Sequence, residues 1–349
     1  MHKINFTLIL MGVIALVACN TAKKPVSEPR VVSIDFNADS AFAFCEAQCD
    51  FGARTMNSDA HERCAEWIAS KFRQYGYTIH LQQADLRGYD GTVLRSTNII
   101  AQQAPTGLPV GAASSEVPVS VGLPDETAPL ARILLCAHWD SRPWADNDPD
   151  SANWRKPVMA ANDGASGVAV MLEVARLLQQ HDSAGIAVDF ICFDAEDWGI
   201  PQWADKSDGD SWALGAQYWA AHPSPLRPAD YQYGILLDMV GGQGARFFQE
   251  GYSLRYARST VDKVWQAAHV AGYGSTFPTQ EQGWITDDHV PVNETAGIPC
   301  IDIINHYPDC ENSTFGPTWH TVSDDMQHID RTTLKAVGQT LIQLIFTEK

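Results

Sequence analysis

The chain has 349 residues, of which 45% are hydrophobic and 19% are charged, and its formal net charge is −18. This length and composition predict a globular protein with a sizeable core, and the sequence contains no low-complexity tract or internal repeat. The acidic balance argues against binding to nucleic acid or to an anionic membrane surface.

The first nineteen residues predict an export signal. "MHKINFTLILMGVIALVAC" has a basic start and an apolar run of roughly a dozen residues, shorter than the about twenty that span a bilayer. Leu16-Val17-Ala18-Cys19 resembles the lipobox of bacterial lipoproteins, in which the cysteine is lipidated; an ordinary secretory peptide is the alternative. We expect a lipoprotein signal at 1–19, a flexible tether at 20–33 and a catalytic domain at 34–349. The protein would be exported and membrane-anchored only through lipid, in the periplasm or at the outer membrane.

The cysteines of an exported protein can form disulfides. Seven follow Cys19, so at least one stays unpaired: Cys45, Cys49, Cys64, Cys136, Cys192, Cys300 and Cys310. Cys136 and Cys192 lie within apolar, strand-like runs and are predicted to be buried thiols. The sequence contains no Cys-x-x-Cys pair, and we predict no cysteine-based metal site.

Apolar strands alternate with amphipathic helices along the rest of the chain. The pattern predicts helices at 59–77, 165–180, 210–222, 254–272 and 330–346, and strands at 78–84, 96–103, 131–138, 186–193, 233–241 and 300–306, with a loop at 104–128. Strands with continuous apolar runs, alternating with helices, indicate an α/β fold. We expect a single domain with a mostly parallel, mixed central sheet flanked by helices on both faces.

Acidic and histidine side chains follow the carboxyl ends of four predicted strands, where open α/β sheets gather their ligand sites. Asp, Glu and His without Cys are typical ligands of catalytic zinc or a related divalent ion. The candidates are His138, Asp140, Asp163, Glu196, Asp197, Asp238, His289, His306 and His320. Spacing alone does not choose among them.

Several of these residues also have an ordinary structural interpretation. Asp163 could cap the helix that follows it, His138 could be a buried core histidine, and His320 could lie on a surface loop. Asp194, Glu196 and Asp197 could belong to a solvated loop. The acidic residues at 146–150 mimic the start of a calcium-binding loop, but the turn glycine of that motif is missing, and a plain loop is the better prediction.

Taken in order, His138-x-Asp140, Asp163 before a helix, Glu196-Asp197, Asp238 and Trp319-His320-Thr321 resemble the zinc-dependent M28 peptidase superfamily. Within it, "TDDHVPVNETAGIPCIDI" and "FGPTWHT" are similar to the glutaminyl cyclases, specifically the bacterial members related to the animal enzymes. The resemblance runs from about residue 60 to the C-terminus. It implies a monomeric enzyme that converts the N-terminal glutamine of peptides and proteins to pyroglutamate.

The resemblance also implies roles for individual residues. Asp163, Asp197 and His320 would hold one zinc ion, although the family often has Glu where this chain has Asp197. Glu196 would be the general acid and base, with Asp238 and Asp287 as its hydrogen-bonded support. Substrate contacts would come from Phe315, Trp319, His289 and an aromatic residue of the loop after Asp197, with Trp203 preferred over Trp198.

Two other functions remain open at this point. A metalloaminopeptidase would use five ligands for two zinc ions: His138, Asp163, Asp197, Asp238 and His320. A non-catalytic surface lipoprotein would bind peptides or glycans on a degenerate hydrolase scaffold, and the presence of Glu196 argues against it.

Overall fold

The structure is a computed structural model that describes residues 30–103, 131–181, 185–205 and 211–348. The predicted export signal with Cys19, most of the tether and the predicted loop at 104–128 lie outside these residues. The described chain from Val31 onward forms one compact unit. None of its helices is both long and apolar enough to cross a membrane.

A six-stranded sheet lies at the centre of the described fold. Its strands are β1 (Tyr77–Arg87), β2 (Val93–Gln103), β3 (Ala131–His138), β4 (Ile186–Phe193), β5 (Tyr231–Asp238) and β6 (Cys300–Ile304). They are arranged in the order β1-β2-β4-β3-β5-β6. The β1–β2 and β2–β4 pairs are antiparallel, and the other three pairs are parallel. The expected mixed, mostly parallel sheet is therefore confirmed.

Seven α-helices accompany these strands in the described residues: α1 (Ala38–Cys49), α2 (Asp59–Gln74), α3 (Ala165–Gln180), α4 (Leu214–Ala221), α5 (Gly251–Val270), α6 (His289–Glu294) and α7 (Arg331–Ile345). The sequence pattern did not predict α1 or α6. Helix α4 begins four residues later than the predicted 210–222, because Ala213 has a left-handed backbone (φ 54°) that no α-helix accommodates.

The two faces of the sheet are buried in separate hydrophobic clusters. Along β3, Ile133 and Leu135 belong to the larger cluster with residues of α1, α2, α3, α5 and α7. The alternate positions Leu134 and Cys136 belong to the smaller cluster with residues of α4 and α6. This alternation is the two-residue period of a strand, so helices cover both faces, as predicted.

The cysteines are free thiols in the described chain. All seven that follow Cys19 are unpaired, and six of them are buried, while Cys310 is partly exposed. The prediction that Cys136 and Cys192 are buried thiols is confirmed.

The parallel strands β3, β4 and β5 end at one edge of the sheet. His138, the last residue of β3, lies opposite Phe193, the last residue of β4. Asp238 ends β5. The loops that follow these strands therefore carry their polar residues into one region, which contains the candidate site.

Candidate metal centre and catalytic cavity

A cavity of about 500 Å³ opens at this carboxyl edge. Its polar lining consists of Asp163, Glu196, Asp238, Thr286, Asp287 and His320, and its apolar lining of Trp212, Met239, Ile285, Ile304, Phe315 and Trp319. The cavity thus has acidic and imidazole groups on one part of its wall and aromatic rings on another.

Three predicted ligands converge beside this cavity. The ligand atoms of Asp163, Asp197 and His320 all lie within 4.8 Å of one another. The Nε2 atom of His320 is 3.2 Å from Oδ1 of Asp197 and 3.5 Å from Oδ2 of Asp163. All three side chains are almost fully buried.

The geometry of this trio fits a divalent ion. Zinc bonds to nitrogen and oxygen of roughly 2.0–2.2 Å in a tetrahedron place neighbouring ligand atoms about 3.4 Å apart. The measured separations of 3.2 and 3.5 Å match that value. The 3.2 Å separation involves Oδ1 of Asp197; the Oδ2 atom of the same carboxylate is buried and has no hydrogen-bond partner among the described residues, which leaves an acceptor that a cation would satisfy.

A second trio shares Asp163 with the first. The Nε2 atom of His138 lies 3.0 Å from Oδ1 of Asp163 and 3.2 Å from Oδ1 of Asp238, and these three ligand atoms also lie within 4.8 Å of one another. Burial raises the pKa of Asp238 to about 8, with the nearby carboxylates of Asp287 and Asp163 adding to the effect. The site therefore has ligands for one ion or for two.

The close approach of His138 and Asp163 depends on a glycine. A Cβ atom at Gly164 would lie 2.5 Å from the backbone oxygen of His138 and 2.6 Å from its ring. Asp324 fixes the same turn from the other side, since its carboxylate accepts the backbone N–H groups of Asn162 and Asp163 at 2.8 and 3.1 Å. The turn before α3 is thus built to hold Asp163 in place.

The turn after β4 separates the roles of its neighbouring acids. Ala195 has a left-handed backbone (φ 52°), and the carboxylate of Asp140 accepts the backbone N–H groups of Glu196 and Asp197 at 3.1 and 3.2 Å. Asp194 accepts the N–H of Ala195 and is therefore an anchor of the turn. As a result Glu196 lines the cavity while Asp197 is buried in the first trio.

The carboxyl group of Glu196 is held in a strongly perturbed environment. Burial raises its pKa well above the usual value; His138 opposes the shift, and the acidic neighbours Asp197, Asp287 and Asp288 reinforce it. A buried carboxyl group with a raised pKa is suited to general acid and base chemistry, because it can hold a proton and release it during the reaction.

The predicted support of Glu196 is not formed as expected. Among the described hydrogen bonds none joins Asp238 or Asp287 to Glu196. Asp238 contacts His138 instead, and Asp287 accepts the backbone N–H of Asp288 at 2.5 Å. Both carboxylates line the cavity, and the charge of Asp287 contributes to the raised pKa of Glu196.

His320 stacks with two indole rings. Its ring centroid lies 3.8 Å from that of Trp319, and it lies 5.9 Å from that of Trp212 at an interplanar angle of 6°. Phe315 packs against Trp319 at 4.9 Å. The rings that form the wall of the cavity therefore also fix the plane of a candidate metal ligand.

Trp203, the wall residue preferred from the sequence, is not among the residues that line this cavity. It stacks on Trp154 at 6.3 Å and lies 3.9 Å from the guanidinium of Arg155. Trp198 contacts Trp144 at 5.2 Å and does not line the cavity either. The indole at this position is that of Trp212, which the sequence did not single out because it precedes α4 like an ordinary packing residue.

Two of the candidate histidines lie away from the cavity. His289 is fully buried, with Nε2 3.2 Å from Oε2 of Glu250. His306 packs edge-on against Phe248 at 5.0 Å. Neither side chain lines the cavity.

The sheet and the converging acids and imidazoles define an α/β protein with a candidate divalent-metal centre at the carboxyl edge of its parallel strands. Residues 119–345 match Peptidase family M28, and the chain belongs to this family.

Solved structures of similar proteins cover nearly the whole chain. The glutaminyl cyclase of Bacteroides thetaiotaomicron, solved with N-acetylhistamine, is 43% identical with a TM-score of 0.80, over 90% of this chain and 99% of that one. The glutaminyl cyclase of Tannerella forsythia is 44% identical with a TM-score of 0.80, over 90% and 100%. A structure described as a leucine aminopeptidase precursor from Bacteroides thetaiotaomicron is 43% identical with a TM-score of 0.79, over 92% and 100%.

Curated relatives are more distant, and they too include both an aminopeptidase and a glutaminyl-peptide cyclotransferase. Aminopeptidase YwaD of Bacillus subtilis is 28% identical over 218 residues, which are 61% of this chain and 40% of the relative. The glutaminyl-peptide cyclotransferase of Boiga irregularis is 26% identical over 244 residues, or 61% of each chain. The match thus spans less than two thirds of the length of these relatives.

Proposed function

We propose that this chain is a zinc-dependent glutaminyl-peptide cyclotransferase, which converts the N-terminal glutamine of peptides and proteins to pyroglutamate and releases ammonia. One observation carries the proposal: Glu196 faces an aromatic-walled cavity directly beside the trio of Asp163, Asp197 and His320. The likeness to two bacterial glutaminyl cyclases supports it.

The reaction joins two unreactive groups of the same residue. The γ-amide of glutamine is a poor electrophile, and its α-amine is mostly protonated near neutral pH. The neutral form of the α-amine attacks the γ-carbon, and Glu196 would accept the proton that this nitrogen loses as the new carbon–nitrogen bond forms. The same carboxyl group would return the proton to the amide nitrogen, so that the old carbon–nitrogen bond breaks and ammonia leaves.

Asp163, Asp197 and His320 would hold a single zinc ion. Zinc, when bound there, supplies Lewis acidity to the γ-carbonyl group. The protein contributes the position of the substrate relative to Glu196, and this placement removes much of the entropic cost of ring closure.

The aromatic wall suits cyclisation better than hydrolysis. Phe315, Trp319 and Trp212 line the cavity, and rings at these positions would fold the glutamine side chain back toward its own amine. They would also exclude the water molecule that an aminopeptidase needs as its nucleophile. The stacking of Trp319 on His320 at 3.8 Å places this wall directly against the candidate metal ligand.

A di-zinc aminopeptidase is the second candidate, and one observation favours it. The trio of His138, Asp163 and Asp238 is complete and shares Asp163 with the first trio, as a two-metal centre requires. The likeness to a structure described as a leucine aminopeptidase precursor points the same way.

Product chemistry separates the two candidates. The purified protein would be incubated with a peptide that begins with glutamine and, in parallel, with leucine amide, and the products would be weighed by mass spectrometry. A cyclase lowers the mass of the glutamine peptide by that of one ammonia molecule and leaves leucine amide intact. Release of free leucine, or of free glutamine from the peptide, would contradict the proposal.

We further propose that the protein is exported and held at the membrane by lipid on Cys19, and that it acts as a monomer. The apolar run and Leu16-Val17-Ala18-Cys19 support the export and the anchor. Cys19→Ser should move the protein from the membrane to the soluble fraction and leave its specific activity unchanged. A wild-type protein that is already soluble after fractionation would contradict the anchor.

A further inference from the structure

A buried ion pair adjoins the candidate metal centre. Arg142 is only 1% exposed and is among the largest fully buried side chains of the described residues. Its Nε and Nη2 atoms donate to the two carboxylate oxygens of Asp146 at 2.7 and 2.8 Å. Burial of an arginine is costly unless its hydrogen bonds are satisfied, so this arrangement needs a reason beyond stability.

The remaining terminal nitrogen of Arg142 is directed at a candidate metal ligand. Nη1 lies 3.4 Å from Oδ1 of Asp197 and donates to the backbone oxygen of the same residue at 3.2 Å. It also lies 3.4 Å from the backbone oxygen of Gly199. The guanidinium therefore holds both the side chain and the backbone of Asp197, leaving the Oδ2 atom of that residue free.

The other half of the ion pair is directed at a second ligand. Oδ1 of Asp146 lies 3.7 Å from Nδ1 of His320, on the side of the ring away from the trio. The neighbouring Asn147 donates its backbone N–H to the backbone oxygen of His320 at 3.0 Å. This contact supports His320 in a left-handed backbone conformation (φ 54°), which is unfavourable for a residue with a side chain.

The guanidinium also supports the wall of the cavity. Its central carbon lies 4.7 Å from the ring centroid of Trp212, and that ring is parallel to the imidazole of His320. A planar guanidinium can stack on an indole while it donates to three separate acceptors. A lysine ammonium at the same position could not make both sets of contacts.

We propose that the Arg142–Asp146 ion pair is a positioning device for the zinc site: Arg142 fixes the carboxylate of Asp197, and Asp146 fixes the imidazole of His320. The inference rests on the zinc site proposed above. Hydrogen-bonded partners of metal ligands typically change metal affinity by about 10- to 100-fold. The ion pair would also fix the position of Asp197, whose side chain is one methylene shorter than the glutamate that the family often has there.

The test compares zinc affinity in two pairs of full-length variants. Arg142→Lys and Asp146→Asn perturb the proposed device. Arg132→Lys and Asp189→Asn perturb a second bidentate Arg–Asp pair at the opposite end of β3, with donor–acceptor distances of 2.5 and 2.8 Å. For each protein the zinc dissociation constant is measured by competition with a chelator, and the Tm of the metal-free form is measured by circular dichroism.

We expect Arg142→Lys and Asp146→Asn each to weaken zinc binding by about 10- to 100-fold, at a temperature where the metal-free variants are still folded. Because both residues act through one ion pair, the double variant should bind zinc only slightly more weakly than whichever single variant binds it more weakly. The control variants should have a lower Tm and an unchanged zinc dissociation constant.

A zinc dissociation constant that is unchanged in both site variants would overturn the inference and leave the proposed function intact. Equal weakening in the control variants would overturn it as well, since the effect would then come from general destabilisation. If Arg142→Lys does not fold, Asp146→Asn alone decides between these outcomes. A wild-type protein that binds no zinc would overturn both the inference and the zinc site on which it rests.

Discussion

Replacing Glu196 by glutamine removes the proposed proton carrier without removing a candidate metal ligand. The side chain keeps its size, and its carboxylate is not part of the trio of Asp163, Asp197 and His320. Asp238 contacts His138, and Asp287 accepts the backbone N–H of Asp288, so both carboxylates remain in the cavity of the variant.

General acid and base catalysis by one side chain contributes about 10²- to 10⁴-fold to a rate. At about 1.4 kcal/mol for each factor of ten, the lost stabilisation of the transition state is about 3–5 kcal/mol. We therefore expect Glu196→Gln to lower kcat by at least about 100-fold while the zinc content stays at the wild-type level.

The assay follows ammonia release from a glutamine peptide, together with the zinc content of the same sample by mass spectrometry. Glu62→Gln, at an exposed position on α2, is the matched control and should keep wild-type values. Loss of zinc from Glu196→Gln would show that the roles of Glu196 and Asp197 are reversed. Retained turnover would refute the assignment of Glu196 as the proton carrier.

Three further predictions concern the fold, the thiols and the second trio. Gly215→Ala should lower the free energy of unfolding by about 1–3 kcal/mol, because a Cβ atom there would lie 2.0 Å from the backbone oxygen of Asp194. Gly283→Ala is the control: a Cβ atom there has nothing within 4 Å, so its Tm in a thermal melt should be nearly that of the wild type. The same Tm for both variants would contradict the close packing at Gly215. Iodoacetamide at pH 8 should alkylate the partly exposed Cys310 and spare the buried Cys64. Burial raises the pKa of Cys64 to about 12, so only about 10⁻⁴ of this thiol is ionised at pH 8. Peptide mapping that finds Cys64 modified in the folded protein would refute this. His138→Ala should retain one zinc ion per chain, since His138 belongs to the second trio alone; a fall from two ions to one would favour the aminopeptidase.

The sequence predicted those elements whose hydrophobic pattern is continuous. The strand at 131–138 and the helix at 165–180 have the predicted bounds, because most residues in them are buried and the apolar run ends where the element ends. Helix α1 was missed because its sequence, ADSAFAFCEAQC, has only a weak helical separation of apolar and polar positions. Helix α6 is only six residues long and contains a proline.

The site was predictable where residue type and strand ends determine it. Asp163, Asp197 and His320 were assigned by resemblance, and the fold brings them together at the edge where the parallel strands end. What could not be predicted is how the loops fold over that edge. The loop conformation determines that Trp212, and not Trp203, lines the cavity. Loop conformation has no periodic signal in the sequence.

Arg142 and Asp146 were missed for a related reason. Asp146 was read only as part of a calcium-loop mimic, and the structure shows it paired with an arginine four residues before it. A charged pair at this spacing is usually an exposed and weak interaction on a helix surface. Its burial against two metal ligands follows from tertiary packing, which the local sequence does not encode.

A zinc titration of metal-free protein tests the central claim most directly. Zinc is removed with a chelator, the ion is added back in measured amounts, and the rate of pyroglutamate formation from a glutamine peptide is followed. We predict no cyclisation without metal and a rate that reaches its plateau at one zinc ion per chain. Full activity of the metal-free protein, or a plateau that requires two ions, would contradict a single-zinc cyclase.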